Sequence, residues 1–302
     1  MHRVEYAALR GVGALLRLLP WDVACHFGEW LGQLGYWPFA IRRRVVVKQI
    51  AAAFPEFSHD HVHEVARQSY RHLGRYVVET MLLPSLTRGQ LVAMVESDDG
   101  WPLIEAAVRA GRGIIFVTGH IGSWELAGSY VAARGVPLDA IARRQANPLV
   151  DAYVNRTRAA IGLTIYYDSE AVRRVPRSLK EGHGVAFIAD QGVLGLASTF
   201  VPFFGMPAKT PRGAAVFAQR YDLAPLFAAV LRQPNGKFRF AVEEVPLVQT
   251  GDRDRDIDTI VALYTQALER RVRQAPEQYF WHHRRWRRQP PDTPADLRDP
   301  TR

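Results

Sequence analysis

Cysteine is almost missing from this chain of 302 residues: Cys25 is the only one. That excludes an intramolecular disulfide framework and a cysteine-rich metal site. Long apolar runs are missing too. No window reaches about 18 consecutive apolar residues, so a membrane-spanning helix is not supported. Arg10, Arg17 and Asp22 interrupt the apolar N-terminal region, and no small-residue cleavage site follows it, so a secretory signal is not expected. His59, His61, His63 and His72 stand near one another, but no cysteine or spaced acid completes a zinc ligand set. There is no internal repeat and no long low-complexity linker. What remains is an ordinary globular composition, 48% hydrophobic and 23% charged, in a chain long enough to bury a full core. Lys and Arg number 39 against 30 Asp and Glu, a formal net charge of +9. Such an excess suits anionic partners: nucleic acid, acidic lipid headgroups or an acidic carrier protein.

The most informative stretch is Gly113 to Glu125, GIIFVTGHIGSWE. Its first half is apolar without alternation and rich in β-branched residues, which predicts a short buried strand. Gly119 breaks the strand, His120 follows, and Ile121-Gly122-Ser123 turns the chain into a helix starting near Trp124. Open α/β sheets place their chemistry on loops at the carboxyl ends of strands. His120 is therefore a candidate general base, and Glu125 its orienting carboxylate. On a continuous helix five residues separate two side chains by roughly 140°. The two meet only if His120 precedes the helix and the glycines fold the chain back. The competing account makes His120 a capping or core histidine and Glu125 an ordinary first-turn acid. No serine or cysteine stands ready for activation, so the nucleophile is expected to come from the substrate.

Upstream, residues 3–19 form an amphipathic pattern closed by Pro20. A second apolar stretch, Cys25 to Ile41, carries Trp30, Tyr36 and Trp37 and ends in Arg42-Arg43-Arg44. Aromatic belt residues beside basic ones fit helices lying in a membrane interface; the plain alternative is a helical cap on a soluble core. Residues 43–83 read as helical around a loop at 54–58, with Ser58 or Asp60 as a cap. Downstream, strands are predicted at 138–142, 163–167, 184–189, 223–230 and 237–245, and helices between them. Asn147 would cap the helix opened by Pro148. The 184–189 strand delivers Asp190 and Gln191 to a loop, much as the first delivers His120. That loop continues through Phe200, Val201, Pro202, Phe203, Phe204 and Gly205, apolar enough to hold a long apolar ligand or to pack core. Lys209, Thr210 and Arg212 precede a helix from Gly213. Alternating strands and helices give an α/β core.

The motifs carry a resemblance. His120 to Glu125 in the form GHIGSWE, Arg144 with Asn147-Pro148, Asp190-Gln191, Phe200 to Gly205, Thr210, and Pro276-Glu277-Gln278-Tyr279 through Trp281, His283, Arg284 and Arg285 stand in one order. Together with Phe54-Pro55-Glu56 this set spans about 230 residues. The chain resembles the bacterial lipid A biosynthesis acyltransferases, the lauroyl and myristoyl transferases, within the lysophospholipid acyltransferase-like superfamily. It departs from them at Gly119, where an asparagine commonly precedes the histidine, and at Gly192, where an acid often follows Asp-Gln.

The resemblance implies a three-layer α/β acyltransferase core with a mostly parallel or mixed sheet, preceded by membrane-associating helices. Residues 1–45 would be the membrane segment and 46–302 the acyltransferase domain, with a helical lead-in at 46–112 and the core at 113–302. It implies an acyl carrier protein thioester as donor, with CoA as the alternative, and a glycolipid hydroxyl as acceptor, without cofactor or metal. Relatives with these motifs also acylate mannosylated phosphoinositides or amino-acid lipids. The expected place is the cytoplasmic face of the inner membrane, peripheral or monotopic. His120 and Glu125 would be catalytic. Backbone N–H groups near Gly122 or a nearby arginine would hold the oxyanion. Arg144, Arg156, Arg212, Arg284 and Arg285 would hold phosphates or carrier acids, with Asp190 orienting one of them, and Asn147, Gln191 and Thr210 completing the substrate contacts. Phe200, Phe203 and Phe204 would line an acyl channel. Two other classes compete. A nucleic-acid binder has the charge and the aromatic–basic tail from Tyr279 to Arg288 but no reading motif. A phosphatase or esterase needs a nucleophile or metal set that is not evident.

Overall fold

The computed structural model describes residues 2–192 and 195–302. Its centre is the predicted apolar strand, β2 (Ile114–Thr118), whose residues 114–117 are all buried. The other strands are β1 (Val95–Ser97), β3 (Leu138–Ala142), β4 (Leu163–Tyr167), β5 (Gly184–Ile188), β6 (Ser198–Phe203), β7 (Met206–Pro211), β8 (Leu226–Arg232) and β9 (Phe238–Glu244). Seven of them form one sheet in the order β1-β9-β8-β2-β5-β3-β4. β8, β2, β5, β3 and β4 pair in parallel, while β9 runs antiparallel to β8. The sheet is mixed, and its order skips in sequence, so β5 lies directly beside β2.

Both faces of the sheet are covered. On one, Ile115, Val117, Val185 and Phe227 pack with residues of α3 (Arg43–Ala53), α4 (His59–Leu82), α10 (Gly213–Tyr221) and α11 (Arg253–Gln274). On the other, Ile114, Phe116, Leu138 and Leu226 pack with α6 (Trp101–Arg109) and α7 (Trp124–Ala133). The alternation of β2 side chains between two apolar layers is why its sequence is apolar without a polar phase. The remaining helices are α1 (His2–Leu16), α2 (Trp21–Tyr36), α5 (Arg88–Ala93), α8 (Pro148–Ala160) and α9 (Ala171–Lys180). Ser58 caps α4, accepting from the His61 N–H at 3.2 Å, and Asn147 caps α8, accepting from Leu149 and Val150.

One expectation is corrected here. The sequence predicts a loop and helix lead-in over residues 198–211; they form the β6–β7 hairpin, turning at Phe204 and Gly205, both at positive φ. Phe203 and Phe204 are buried in the core, against Trp286 and Trp281 respectively, and do not line an open channel; Phe200 stays exposed. The short β1 and α5 were not anticipated.

At the N-terminus α2 crosses α4 at glycines. A Cβ on Gly74 would stand 2.0 Å from the Gly28 carbonyl oxygen, and one on Gly32 2.0 Å from that of Tyr70. Beneath the crossing, Glu29 of α2 meets Arg71 and Arg75, and Arg75 and Arg232 share Glu79. The outer side of α1, α2 and the following turn exposes Leu15, Leu18, Phe27, Trp30, Trp37 and Phe39. No helix among the described residues is long and apolar enough to cross a membrane.

Candidate active site

β2 and β5 run parallel and adjacent, so their carboxyl ends deliver His120 and Asp190 to the same place. One Asp190 oxygen lies 2.6 Å from His120 Nδ1 and the other accepts the His120 backbone N–H at 2.9 Å. The carboxylate therefore fixes both the ring and the chain that carries it. Burial alone would raise the Asp190 pKa; the His120 charge, its two hydrogen bonds and Arg285 outweigh that and hold it at about 2. An ionised partner on Nδ1 sets the tautomer with the proton there and leaves the Nε2 lone pair available as a base. Nε2 has no hydrogen-bond partner among the described residues. The ring packs edge-on to Trp124 at 5.0 Å and beside Phe280 at 6.0 Å. Trp124 and Phe280 also line a narrow cleft of about 10 Å³, together with His72, Tyr76 and His282. A roomier hollow of about 200 Å³ lies at the other end of the sheet, around the start of β2, away from His120.

The loop between β2 and α7 is held by backbone. Gly122 N–H donates to the Gln278 carbonyl and Ser123 N–H to that of Val230, both at 2.9 Å; Phe280 N–H donates to the His120 carbonyl at 2.9 Å. His72, half-buried, lies 3.2 Å from the Gly122 carbonyl oxygen. Gly122 has φ +59°, and a Cβ there would stand 1.9 Å from the Val230 oxygen, so only glycine fits.

Several expected roles are corrected by this geometry. Glu125 does not hold His120: Arg158 grips its buried carboxylate through two nitrogens, with bonds of 3.0 and 2.6 Å. α7 begins at Trp124, so Glu125 points with its helix toward α8, while His120 turns toward β5. The Gly122 N–H is spent on Gln278 and is not free for an oxyanion. Buried Arg285 bonds the Lys209 carbonyl and Thr210 Oγ1, both at 2.6 Å, tying the C-terminal segment to β7. Arg284 bonds Asp299 and Thr301, and Arg212 bonds Asp254 and pairs with Asp258. Asn147 links α8 to α1 through the His2 carbonyl and Glu5. These residues hold the fold. Gln191 stays at the site, its amide nitrogen 3.2 Å from His120 Nδ1. Arg144 is exposed over the Tyr167 ring, and Arg156 is exposed near Tyr6.

A buried carboxylate that fixes a histidine on the carboxyl edge of a mixed sheet, with no nucleophilic side chain bonded to it among the described residues, is an arrangement suited to base-assisted group transfer. The bacterial lipid A biosynthesis acyltransferase family matches residues 3–288, and the chain belongs to that family. It is an O-acyltransferase of the lysophospholipid acyltransferase superfamily. Among its relatives is the lipid A biosynthesis palmitoleoyltransferase of Escherichia coli strain K12, 27% identical over 276 residues, 90% of this chain and 87% of the relative. The lauroyltransferase of the same organism is 25% identical over 298 residues, 98% of this chain and 96% of the relative. A phosphatidylinositol mannoside acyltransferase of Mycobacterium tuberculosis is 26% identical over 217 residues, 69% of this chain and 65% of the relative.

Proposed function

We propose that the chain moves a fatty acyl group from an acyl carrier protein thioester to a hydroxyl of a glycolipid, with a lipid A precursor as acceptor. The observation that carries this reading is the His120–Asp190 pair, with Nε2 unbonded among the described residues and the ring packed against Trp124 and Phe280 of the adjoining cleft. The acceptor hydroxyl gives its proton to Nε2 while its oxygen attacks the thioester carbonyl. The C–S bond then breaks, and the leaving sulfur takes the proton back from the imidazolium. Asp190 stays ionised and steadies that imidazolium. A thioester becomes an ester with little change in bond energy, so alignment and oxyanion stabilisation supply most of the rate. No acyl-enzyme forms, since no nucleophilic side chain contacts His120 among the described residues.

Lipid A as acceptor is favoured by relatives that span almost the whole chain. A mannosylated phosphoinositide is the second reading, favoured by the mycobacterial relative. Both acceptors are anionic glycolipids, which suits exposed Arg144 and Arg156. The exposed apolar side of α1 and α2, with Arg42 to Arg44 beside it, supports docking on the cytoplasmic face of the inner membrane. The test is incubation of purified protein with acyl carrier thioesters and a panel of lipid acceptors, read by mass spectrometry. Acylated lipid A precursor supports the reading. Transfer only to another lipid moves the acceptor, and no transfer from any thioester overturns it.

A further inference from the structure

The cleft beside His120 contains a polar group that the proposed transfer does not use. His282 is only 7% exposed, and neither of its ring nitrogens reaches solvent or a hydrogen-bond partner among the described residues. Burial pushes its pKa down to about 4, with the Arg42 charge adding to the effect. The ring is therefore neutral near pH 7, with one N–H to donate and one lone pair to offer. Leaving both unmet in the interior lowers stability, whereas an apolar ring of the same shape carries no such penalty. The ring is also held in place. It stacks on Phe280 at 5.4 Å and meets the Tyr70 ring edge-on at 4.3 Å. Buried Gln49 grips the carbonyls on either side of it, that of Trp281 at 2.6 Å and that of His283 at 2.9 Å.

The lining of the cleft narrows what can meet those nitrogens. Its free space of about 10 Å³ admits one water-sized group. Ser69, His72 and Tyr76 stand on one face of α4, opposite Trp124 and Phe280. No acid, lysine or arginine lines the cleft among the described residues, so a phosphate or carboxylate has no counter-charge there. The Ser69 hydroxyl donates to the Tyr279 carbonyl at 3.4 Å, which leaves its oxygen able to accept. A small neutral group that both donates and accepts fits this lining, and a hydroxyl is such a group. The cleft also adjoins the base. Trp124 and Phe280 pack against the His120 ring at 5.0 and 6.0 Å, and Phe280 touches His120 and His282 alike.

We propose that His282 seats a second hydroxyl of the acceptor headgroup, one that does not react, and so helps to select which glycolipid is acylated. This rests on the acyl-transfer reading, and one set of measurements separates the two. A hydroxyl seat takes water as well as a headgroup, and the same measurements tell these apart. Initial rates are taken for wild type, His282→Phe and His282→Gln with acyl carrier thioester and the lipid that the wild type acylates, beside slow thioester hydrolysis without acceptor. Melting temperatures are read on the same proteins. Phe keeps the ring volume and loses both nitrogens. Its KM for the acceptor should rise about 10–100-fold, with kcat, donor KM and hydrolysis little changed. Its melting temperature should rise, because two unmet polar atoms have left the interior. Gln keeps a donor and an acceptor, and its acceptor KM should fall between those of wild type and Phe. An acceptor KM for Phe equal to that of wild type means that the seat takes water alone, and overturns the proposal. A Phe variant with a lower melting temperature, or one that loses transfer and hydrolysis together, marks a structural role and overturns it too. A wild type that moves no acyl group from any thioester overturns the acyl-transfer reading itself, and the inference with it.

Discussion

Asp190 matters more to His120 than any residue near it in sequence. It holds Nδ1 and the backbone N–H at once, and the ring can then accept a proton only at Nε2. Asp190→Asn should remove the fixed tautomer and cost kcat about 10²–10⁴, comparable to loss of a general base. Initial rates on folded protein check this. Glu125→Gln makes the contrast. It leaves the His120–Asp190 pair intact but strips Arg158 of its buried partner, so the melting temperature should drop while the rate falls far less than for Asp190→Asn. An equal loss of rate at unchanged stability would return Glu125 to the chemistry. The Asp190 carboxyl also carries a pH signature. Its folded pKa of about 2 lies below the ordinary 3.8, so its contribution is complete above about pH 4 and is lost as pH falls toward 2.

The elements that were legible from sequence are those whose signal is local. β2, β3, β4 and β5 announced themselves as short apolar runs, and α7 and α8 by their starts at Trp124 and Asn147. The β6–β7 hairpin did not, because Pro202, Pro207 and Pro211 and the glycine at 205 read as loop. Those prolines are tolerated because the hairpin is two-stranded and leaves outer edges without a ladder to donate to. The partner of His120 was hidden for a different reason. Asp190 is 70 residues away, and only the sheet order, with β5 beside β2, brings the two ends together. Both residues were visible as strand-end polar groups; their pairing needed topology. The tight loop yields a prediction of its own. Gly122→Ala places a Cβ against the Val230 oxygen at a positive φ, so it should abolish turnover and lower the melting temperature. A variant with wild-type rate would mean the loop has room to move.

Two properties belong to the molecule as a whole. The exposed apolar side of α1 and α2 and Arg42 to Arg44 beside it occupy one end of the chain, whereas Glu29 and Arg75 pair under α2. Binding to vesicles of anionic phospholipid should therefore weaken in a Trp30→Ser, Trp37→Ser variant and with rising salt. Sedimentation with vesicles measures it, and unchanged binding of the variant would count against docking through this side. Stability should also depend on pH well above the carboxylate range. Burial pushes His72, His282 and His283 down to about 4, whereas an unfolded histidine titrates near 6.5. The unfolded chain binds those protons first, so stability is complete above about pH 6.5 and declines as pH falls toward 4. The melting temperature should drop between pH 7.5 and pH 5, with a flatter slope in His72→Gln; identical slopes would deny His72 a part.

The most direct test of the central claim, that His120 oriented by Asp190 is the base for acyl transfer, is the initial rate of His120→Ala with saturating acyl carrier thioester and lipid acceptor, on folded protein. The rate should fall by about 10²–10⁴, and no acyl adduct should be found on any side chain by mass spectrometry of the intact protein. A variant that keeps more than about a tenth of the wild-type rate, or a trapped acyl-protein on the turnover path, would contradict the account.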